Sequence, residues 1–571
     1  MFNKFEKIIL KAIQSSGQRK IILFSTLVAF ILSVLMIAPT EIVLAKMLPG
    51  KNNDTFNIYV KLANGSSIEQ TQQVSECVSS YIVQEKEVRD TEVFLGMGAP
   101  LDFAGLIKGS QFKNAENVAE IVVNITKKHH REEPSYLMVQ RLRPTIQASC
   151  EKIYPNTHIS FVEPPAGPPT MAAIVMEVYG NNAQSLRKIS KRVESIFKKT
   201  DGLVDIDIMQ DYIYDTFDVV VNSTKIVKSG VDVKQLNNIL YLAFEGMQIA
   251  VKNSDKYNDQ VPVYLSLSQD SKRFTNKDLH SIQAKLTSLK LMNKIGMMIP
   301  VMELVNIVPK KSNPTIMTKD LHLMTNVLAE TDMVSLVYPL IDAKGKIIEE
   351  FSKDFDVQEA GLFNLEIVDK KTGEKFDLIW DGEMKVTIDT FIDLGVAFIA
   401  ALILIFLLMV IYYKSYVLSG IILLGSFLSI VGVIVGHWIM DLFTTDTFFL
   451  TATSLIGFIA LIGISSRNSL LLIDFTKSLM REKGLHKAEA IAYATATRAK
   501  PIFLTAVAIM LASTLLAGDA VFGGLGVSLI FGTLAAVIAS LIVVPVLLYM
   551  SDLEAHFHFH EKKAVSIEDP L

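Results

Sequence analysis

A single arginine inside an apolar stretch is the residue of this chain most able to do chemistry. Arg467 lies within the largely apolar residues 448–475. A cation at bilayer depth costs ~2.5–3.5 kcal/mol on insertion scales, so the guanidinium is expected to face the protein interior and to find an acceptor there. Two interpretations follow: a component of an ion or proton pathway, or a structural ion pair that fixes helix packing. The sequence neighbours of Arg467 form a polar island within the apolar stretch: Ser465, Ser466, Asn468 and Ser469.

Six apolar stretches are candidates to cross a membrane, although the one at 502–516 is short and needs Pro501 and Ala517 at its ends. The chain has 571 residues, of which half are hydrophobic. A helix needs about 20 apolar residues to cross the hydrocarbon. The stretch at 21–38 is too long for a cleaved signal peptide, and Met36 interrupts the small-residue cleavage pattern, so a retained anchor is predicted. The other five stretches are 394–412, 417–435, 448–473, 502–516 and 526–550.

Lysine and arginine residues fix the predicted orientation. They are concentrated in the segment 1–20, in the linker 476–500 and in the tail 551–571. Six spans place these segments on one side, which the positive-inside rule makes cytoplasmic. The large region between the first two spans is then on the outer side, with five helices following at 388–550. The net charge of -4 gives no sign of a nucleic-acid surface.

The outer region begins with alternating strand and helix patterns. Ser66 or Ser67 is expected to cap a helix that continues to residue 84, and a second helix opens at Ser135. With the strands, this order predicts a β-α-β-β-α-β unit, the split βαβ or ferredoxin-like fold, over residues 39–165. The predicted strands are 56–62, 92–94, 119–125 and 158–162.

A proline-rich joint at 164–169 separates a second α/β unit from the first. Strand patterns at 173–179, 204–209 and 323–329 surround a helix at 185–198. We therefore predict a second unit of the same kind, in two parts at 166–215 and 311–387, with a domain inserted at 216–310. Two related units suggest an ancient duplication.

The chain contains two cysteines, Cys77 and Cys150, both in the outer region. Two cysteines in so long a segment do not make a disulfide scaffold. They could pair in an oxidising periplasm. The interpretation we favour from the sequence is two small, buried apolar residues.

Four segments together resemble a known family. They are EPPAGPP at 163–169, WDGE at 380–383, GISSRNSLLLIDF at 463–475 and RAKPIFLT at 498–505. In this order they resemble the C-terminal half of a resistance-nodulation-division (RND) efflux permease, and the resemblance covers nearly the whole chain. It implies a bacterial inner-membrane protein with two periplasmic porter subdomains. The insertion at 216–310 would be the docking subdomain, where a trimer meets an outer-membrane channel.

The resemblance also implies a proton relay. It matches Arg467 to the cation of the tenth span, and Arg498 and Thr505 to relay residues of the eleventh. The acidic pair of the family lies on the fourth span, in the other half, which these 571 residues do not contain. Asp474 is seven residues, or ~10 Å, from Arg467 along the helix, so it is expected to mark the cytoplasmic end. Asn468 is a further candidate relay residue.

The function expected from the resemblance is a half-size subunit of a proton antiporter, working with a separate N-terminal half that carries the acidic pair. A periplasmic adaptor and an outer-membrane channel would complete the assembly. A degenerate remnant or a non-transporting membrane scaffold is the alternative, followed by a metal-ion exporter or a protein-translocation helper. The sequence contains no phosphate loop, zinc-ligand spacing or nucleophile elbow, so neither an enzyme nor a bound cofactor or metal is expected.

The expected substrate is an amphiphilic organic compound. Soft metal ions such as Cu(I) prefer thioethers, but the outer-region methionines show no recurring spacing and are interpreted as core residues. The loop 96–105 contains Leu101 and Phe103, which are candidates for lining a substrate cleft. A plain connecting loop explains these two residues equally well.

Overall fold

The computed structural model describes residues 2–37, 40, 42–48, 52–164, 167, 170–256, 260–272, 279–332, 336–444, 447–519 and 521–552. The described residues do not include most of the predicted proline-rich joint. They also do not include the predicted tail at 551–571 beyond Asp552. The chain divides into two compact units. One comprises Met1–Gln210 with Ile316–Leu571, and the other comprises Asp211–Thr315.

Two helices begin the chain. Helix α1 (Phe2–Gln14) is followed after one residue by α2 (Ser16–Leu35), the first candidate span. Ser15 caps α2 by accepting a hydrogen bond from the Gln18 amide at 3.4 Å. Because of this cap the helix begins five residues before the apolar stretch predicted at 21–38.

The first α/β subdomain is a four-stranded antiparallel sheet in the order β2-β3-β1-β4. This order and pairing are those of the predicted β-α-β-β-α-β unit. Ser67 and Gln70 form a capping box at the start of α3. Helices α3 and α5 bury one face of the sheet around Phe56, Ile58 and Ile121. The elements are β1 (Thr55–Lys61), α3 (Ile68–Ile82), β2 (Val88–Leu95), α4 (Phe103–Lys108), β3 (Val118–Ile125), α5 (Ser135–Cys150) and β4 (His158–Val162).

A disulfide joins Cys77 on α3 to Cys150 on α5. The favoured interpretation of two unpaired cysteines was wrong. The two residues are 73 positions apart in sequence, but α3 and α5 are neighbours on the same face of the sheet, and their Cα atoms are 5.9 Å apart. Linear spacing does not reveal that proximity.

A second α/β subdomain starts with β5 (Ile174–Tyr179), α6 (Ala183–Phe197) and β6 (Leu203–Ile208). The chain then enters the unit Asp211–Thr315, whose small core surrounds Leu236, Leu286 and Val301. The elements of that unit are β7 (Asp215–Val221), α7 (Ser223–Ser229), α8 (Val233–Phe244), β8 (Met247–Lys252), β9 (Val261–Leu265), α9 (Gln269–Lys272), α10 (Leu279–Ser288), β10 (Lys290–Met292), β11 (Met298–Pro300), α11 (Val301–Leu304) and β12 (Val305–Lys311).

The chain returns to complete the second subdomain. Its sheet runs β13-β14-β5-β17-β16-β15, with β6 also paired to β14. Strands β6, β14, β5 and β17 repeat the arrangement of the first subdomain. Helices α6 and α12 cover this sheet around Val193, Leu340 and Phe376. The returning elements are β13 (Met317–Lys319), β14 (His322–Thr331), α12 (Val337–Phe351), β15 (Phe355–Ala360), β16 (Asn364–Asp369) and β17 (Lys375–Asp381).

Five further spans follow, so six helices within the described residues are long and apolar enough to cross a membrane. The prediction of a six-span protein with a large α+β region is confirmed. Helices α16 and α17 are separated by residues 483–486, so most of the predicted linker at 476–500 is helical. Helices α14 and α15 together form one span, Tyr416–Phe443, and α18 and α19 form another, Gly523–Met550. The helices are α13 (Glu383–Tyr413), α14 (Tyr416–Phe427), α15 (Ser429–Phe443), α16 (Ala452–Glu482), α17 (Lys487–Ala517), α18 (Gly523–Ile538) and α19 (Val544–Met550), with a π-turn at Ala539–Val543.

Helix α18 packs closely against two neighbours because small residues line its contacts. A Cβ atom at Gly432 on α15 would collide with the Phe531 carbonyl oxygen, and one at Gly532 would collide with Leu461 on α16. By contrast, only 17% of the apolar window of α17 and 6% of those of α2 and α13 are buried. The bundle therefore has a packed side and helices with uncovered faces.

Candidate functional site

One face of α16 is uncovered over the membrane part of the helix. Its exposed residues recur every three or four positions: Ile456, Ala460, Gly463, Arg467 and Leu471. That spacing places all five on one side of an α-helix, which we call the Arg467 face. No described residue forms a hydrogen bond or an ion pair with the exposed Arg467 side chain. The deep cation expected to face an interior thus lies on an open surface of this chain.

The other residues of the polar island point into the bundle. Asn468 is 3% exposed, and Ser465 and Ser469 are fully buried. The hydroxyl oxygens of both serines have no hydrogen-bond partner in the described part of the chain. Arg467 is therefore separated from its polar neighbours by the helix itself, and the island does not form one site.

Arg498 and Thr505 lie seven residues apart on α17, on the same side of the helix. The guanidinium carbon of Arg498 lies 4.9 Å from the ring centroid of Phe475 on α16, a cation–π contact. Its Nε atom is buried without a described hydrogen-bond partner. The exposed Thr505 donates its hydroxyl proton to the Ile502 carbonyl at 2.9 Å. No hydrogen bond or ion pair between described atoms joins Arg467, Arg498 and Thr505 to one another.

Asp474 is bound by the end of a different helix. Its carboxylate accepts hydrogen bonds from the hydroxyls of Tyr413 at 2.8 Å and Tyr412 at 3.1 Å. Both tyrosines belong to the last turn of α13. This tyrosine pair was missed in the sequence, where its one signal is two phenols at the end of an apolar stretch. Asp474 therefore joins α16 to α13, and its hydrogen-bond partners are these tyrosines and not Arg467.

A second polar contact missed in the sequence surrounds His437 on α15, a fully buried residue. Its Nδ1 lies 2.8 Å from the Val433 carbonyl oxygen, which can only accept, so Nδ1 carries the proton. Its Nε2 then accepts from the Ser454 hydroxyl at 2.9 Å. The contact fixes α15 to the first turn of α16 and leaves the imidazole with both nitrogens satisfied.

Four ion pairs between described residues connect the two α/β subdomains, and one of them joins Arg143 Nη1 to Asp332 at 3.1 Å. Lys61 on β1 lies 2.7 Å from Asp207 on β6, and Lys108 on α4 lies 2.7 Å from Glu330 on β14. Arg143 on α5 donates its Nε proton to buried Asp205, at 3.2 Å. Burial raises the pKa of Asp205, and the nearby Arg143 opposes that rise. These contacts join the first α/β subdomain to the second.

A loop over the first sheet contains the candidate cleft residues. Buried Glu120 holds this loop by accepting from the Ala99 amide and from Lys113 Nζ, each at 3.2 Å. Burial lowers the pKa of Lys113 to about 8, and Glu120 opposes the shift. Leu101 is 56% exposed. Phe103 starts α4, and its side chain lies outside what the structure describes. The loop therefore presents at least one apolar side chain to an approaching ligand.

Glu163, near the proline-rich joint, is a partly buried acid in the first subdomain. Burial raises its pKa to about 7, although a hydrogen bond with Ser135 and the charge of Arg143 work in the other direction. Its Oε1 atom has no described hydrogen-bond partner. Glu163 therefore changes charge near neutral pH.

Two methionines converge on one amide in the second subdomain. The side-chain nitrogen of buried Asn326 lies 3.4 Å from Met171 Sδ and 3.7 Å from Met209 Sδ. The Oδ1 atom of Asn326 has no partner among the described residues. The structure thus pairs two thioethers that the sequence keeps 38 positions apart.

An apolar cavity of ~290 Å³ lies where α13 leaves the second subdomain. It is lined by Phe391 and Ile392 of α13 and by Leu362 and Phe363 of the second subdomain. The remaining lining residues are Ala45, Val337, Thr387 and Ile388. Its volume and lining suit an apolar group of the size of a hydrocarbon chain segment.

A six-span bundle with an arginine in the middle of one span, joined to two split βαβ subdomains, has the architecture of a membrane permease. The family model described as the AcrB/AcrD/AcrF family matches residues 1–552. The chain belongs to this family of RND efflux permeases, and the resemblance given by its motifs is confirmed.

Curated relatives agree with this assignment. The chain is 24% identical over 379 residues to the swarming motility protein SwrC of Bacillus subtilis (strain 168), a match that covers 65% of the chain and 32% of SwrC. It is 28% identical over 149 residues to the multidrug export protein AcrF of Escherichia coli (strain K12), covering 25% of the chain and 14% of AcrF. It is 36% identical over 110 residues to the multidrug resistance protein MdtC of Edwardsiella ictaluri (strain 93-146), covering 18% and 11%.

Solved structures show the same fold. Two crystal forms of a heavy metal efflux pump superpose with TM-scores of 0.71 and 0.69, at 16% and 18% sequence identity. Each match covers 95% of this chain and about half of the pump, 52% and 51%. The chain thus spans about half the length of these pumps and less than a third of the length of AcrF or MdtC in the matched regions.

Proposed function

We propose that this chain is a half-size subunit of a proton-driven RND efflux permease and that a separate polypeptide supplies the N-terminal half. One observation carries the proposal: Arg467 lies at bilayer depth on an uncovered helix face, with no acceptor among the described residues. A cation in that position is costly unless a second protein covers it. An acidic pair on a partner helix would supply the missing charge.

The Arg467 face has the side chains of a helix–helix interface. Gly463 and Ala460 flank the arginine on its outer side, and small residues let helix backbones approach closely in membranes. Ile456 and Leu471, which are 45% and 38% exposed, extend the face in both directions. A helix packed here would bring its own side chains within reach of the guanidinium.

The proposed relay follows from the charge of Arg467. A cation beside two carboxylates lowers their pKa and keeps them ionised. Proton uptake by a carboxylate weakens its pairing with Arg467 and frees the helices to shift. Thr505 and Arg498 on neighbouring α17 would take part as a hydroxyl and a second cation, and Asn468 is a further candidate from the opposite side of α16. Asp474 is proposed as a helix-end contact because two tyrosines occupy its carboxylate.

The proposed substrates are amphiphilic organic compounds. The apolar cavity beside Phe391 and Phe363 lies where the membrane helices meet the outer region, a place open to molecules that partition into lipid. Exposed Leu101 and its neighbour Phe103 are proposed to line the substrate cleft between the two α/β subdomains. A periplasmic adaptor, an outer-membrane channel and a trimer-type assembly in the inner membrane complete the proposal. The unit Asp211–Thr315 is proposed as the docking subdomain.

Co-purification tests the split permease directly. The chain, solubilised from its native membrane, is expected to bring down a second permease polypeptide with an intramembrane acidic pair. Gly463→Trp should remove that polypeptide because the large ring blocks close helix approach. Leu404→Trp, at a 66% exposed position on α13, is the matched control and should leave it bound. Recovery of the wild-type chain only as a lone monomer would contradict the proposal and favour a degenerate remnant or a scaffold.

A second candidate function is soft-metal export, favoured by the methionine pair at Asn326. Thioethers bind Cu(I) and Ag(I), and Met171 and Met209 converge on one amide nitrogen. Titration of the purified chain with Ag(I), followed by calorimetry, tests this candidate. Met171→Leu with Met209→Leu should abolish binding, whereas Met97→Leu, at a 54% exposed position, should not. Absence of Ag(I) binding by the wild-type chain eliminates the metal-export function.

A further inference from the structure

Helix α1 has two faces of opposite character. Ile9 and Ile13 on one side are 4% and 0% exposed and pack in a cluster with Tyr413, Ile491 and Leu548. Lys4, Lys7 and Lys11 on the other side are exposed. Their spacing of three and four residues places them within roughly 60° of arc on an α-helix. We call these three residues the lysine strip.

The helix is held firmly against the membrane bundle. Arg19 at the start of α2 donates to the Ile13 carbonyl at 2.8 Å and so caps the end of α1. The same guanidinium lies 5.0 Å from the Tyr549 ring centroid. Ser15 is the single residue between α1 and α2 and caps the latter. Helix α1 is therefore a fixed part of the bundle, and its orientation follows from that of the spans.

The position of α1 places the lysine strip at the level of lipid headgroups. It packs against Tyr413 at the end of α13, Ile491 in the first turns of α17 and Leu548 near the end of α19. All three residues lie at the same end of the bundle, which the lysine distribution makes cytoplasmic. An amphipathic helix with lysines on its polar face lies in the plane of the interface.

The lysine strip has no counter-charge of its own among the described residues. No described acidic side chain forms an ion pair with any of its members. Ile8, beside the strip, is 55% exposed, and Lys20 at the start of α2 adds a fourth exposed cation. An exposed isoleucine gains nothing in water. At a lipid surface the Ile8 side chain can enter the acyl boundary while the neighbouring lysines extend to the lipid phosphates.

We propose that the lysine strip of α1 is a binding surface for the headgroups of anionic phospholipids. The chemistry is charge complementarity: three ammonium groups on one arc meet the phosphates of several lipids, with Ile8 anchored beside them. Juxtamembrane lysines each add about fivefold to the affinity for an anionic surface, since each contributes about 1 kcal/mol. The surface is independent of the relay and of the identity of the exported compound.

Native mass spectrometry of the full chain in detergent tests the proposal, with phosphatidylglycerol and phosphatidylcholine as added lipids. The wild-type chain is expected to retain phosphatidylglycerol preferentially. The triple variant Lys4→Gln, Lys7→Gln and Lys11→Gln should lower that affinity on the order of 100-fold, with no change for phosphatidylcholine. The matched control is Lys225→Gln, Lys228→Gln and Lys234→Gln, three exposed lysines in the unit Asp211–Thr315.

Two further arms separate the possible sources of the effect. Raising the salt concentration to 1 M should abolish the lipid preference, because the Debye length falls to about 3 Å. Ile8→Gln should weaken retention of both lipids if the side chain enters the acyl boundary. Equal phosphatidylglycerol retention by the strip variant and the control variant would overturn the proposal. Competition by inorganic phosphate at equal concentration would also overturn it, since a free anion would then be the ligand.

Discussion

The Tyr413 hydroxyl donates a hydrogen bond to the Asp474 carboxylate at 2.8 Å, joining the end of α13 to α16. Tyr412 adds a second bond to the same carboxylate, at 3.1 Å. The acid closest in sequence to Arg467 on the same helix is thereby engaged within the chain. Arg467 has no hydrogen-bond or ion-pair partner among the described residues, and the proposed mechanism therefore requires a partner helix.

Replacing Arg467 by Ala should abolish export while leaving the assembly intact. The relay loses its deep cation, so nothing holds a partner carboxylate ionised. Resistance of cells to an exported compound is the measurement, with membrane levels of the chain checked by immunoblotting. Arg481→Ala, an exposed arginine in the last turn of α16, is the control and should keep wild-type resistance. Export by Arg467→Ala at the wild-type rate would show that the relay assignment is wrong.

Replacing Tyr413 by Phe should destabilise the helix bundle by about 1.5–3 kcal/mol, the range for a hydrogen bond to a charged group. The change removes one hydroxyl and leaves the buried ring in place. Thermal unfolding in detergent is the measurement. Tyr412→Phe serves as a comparison, because Tyr412 is 62% exposed and its bond is longer, so its effect should be smaller. An equal or larger loss of stability for Tyr412→Phe would show that Tyr413 does not make the stronger hydrogen bond to Asp474.

Removing the disulfide by Cys77→Ala with Cys150→Ala should destabilise the first α/β subdomain by roughly 4 kcal/mol. The bridge closes a loop over 73 positions, and a loop of that length restricts the unfolded chain strongly. Proteolysis of the outer region at rising urea concentration is the measurement. Reductant should produce the same loss in the wild-type chain and no further loss in the double variant. Unchanged stability after reduction would contradict the prediction.

Replacing Glu163 by Gln should stabilise the outer region at pH 8 and have little effect near pH 5. The pKa of Glu163 is raised by burial to about 7 in the folded chain. A raised pKa means that the folded state holds the proton of Glu163 more tightly than the unfolded state does. Ionised Glu163 therefore destabilises the folded chain, and this loss of stability is absent below the pKa of the unfolded state and grows as pH rises to about 7. The gain at pH 8 should be roughly 2–3 kcal/mol. Denaturant unfolding at both pH values is the measurement.

The exposed Glu76 on α3 provides the control for that experiment. Glu76→Gln should change stability equally little at pH 5 and pH 8. A gain for Glu163→Gln that is the same at both pH values would show that its charge is not the cause.

Local patterns were sufficient to predict the membrane spans and most strands of the two α/β subdomains, but not α12 or the separate elements of the unit Asp211–Thr315. The order of strands and helices predicted the first split βαβ subdomain, because alternation acts over a few residues. The cap at Ser66 or Ser67 predicted the start of α3 to within one residue. Hydropathy predicted all six spans, although the helices extend beyond the apolar stretches. Strands β15 and β17 were missed because Asp356, Glu359 and Lys375 interrupt their apolar alternation.

Contacts between distant segments could not be predicted from the sequence. The sequence favoured free cysteines because nothing in the linear pattern shows that α3 and α5 are adjacent. The attachment of Asp474 to α13, and of Met171 and Met209 to one asparagine, depends on packing in the same way. Arg467, Arg498 and Thr505 were identified by their match to family motifs, and their roles remain proposals.

The bridge between Cys77 and Cys150 also carries information about biogenesis. Thiols in the bacterial cytosol are kept reduced, so with the proposed periplasmic location of this region the bond closes only after that segment has crossed the membrane. Synthesis, translocation and covalent maturation must then occur in sequence. A difference in gel mobility between oxidised and reduced chains would therefore report when the segment of each newly made chain has been translocated.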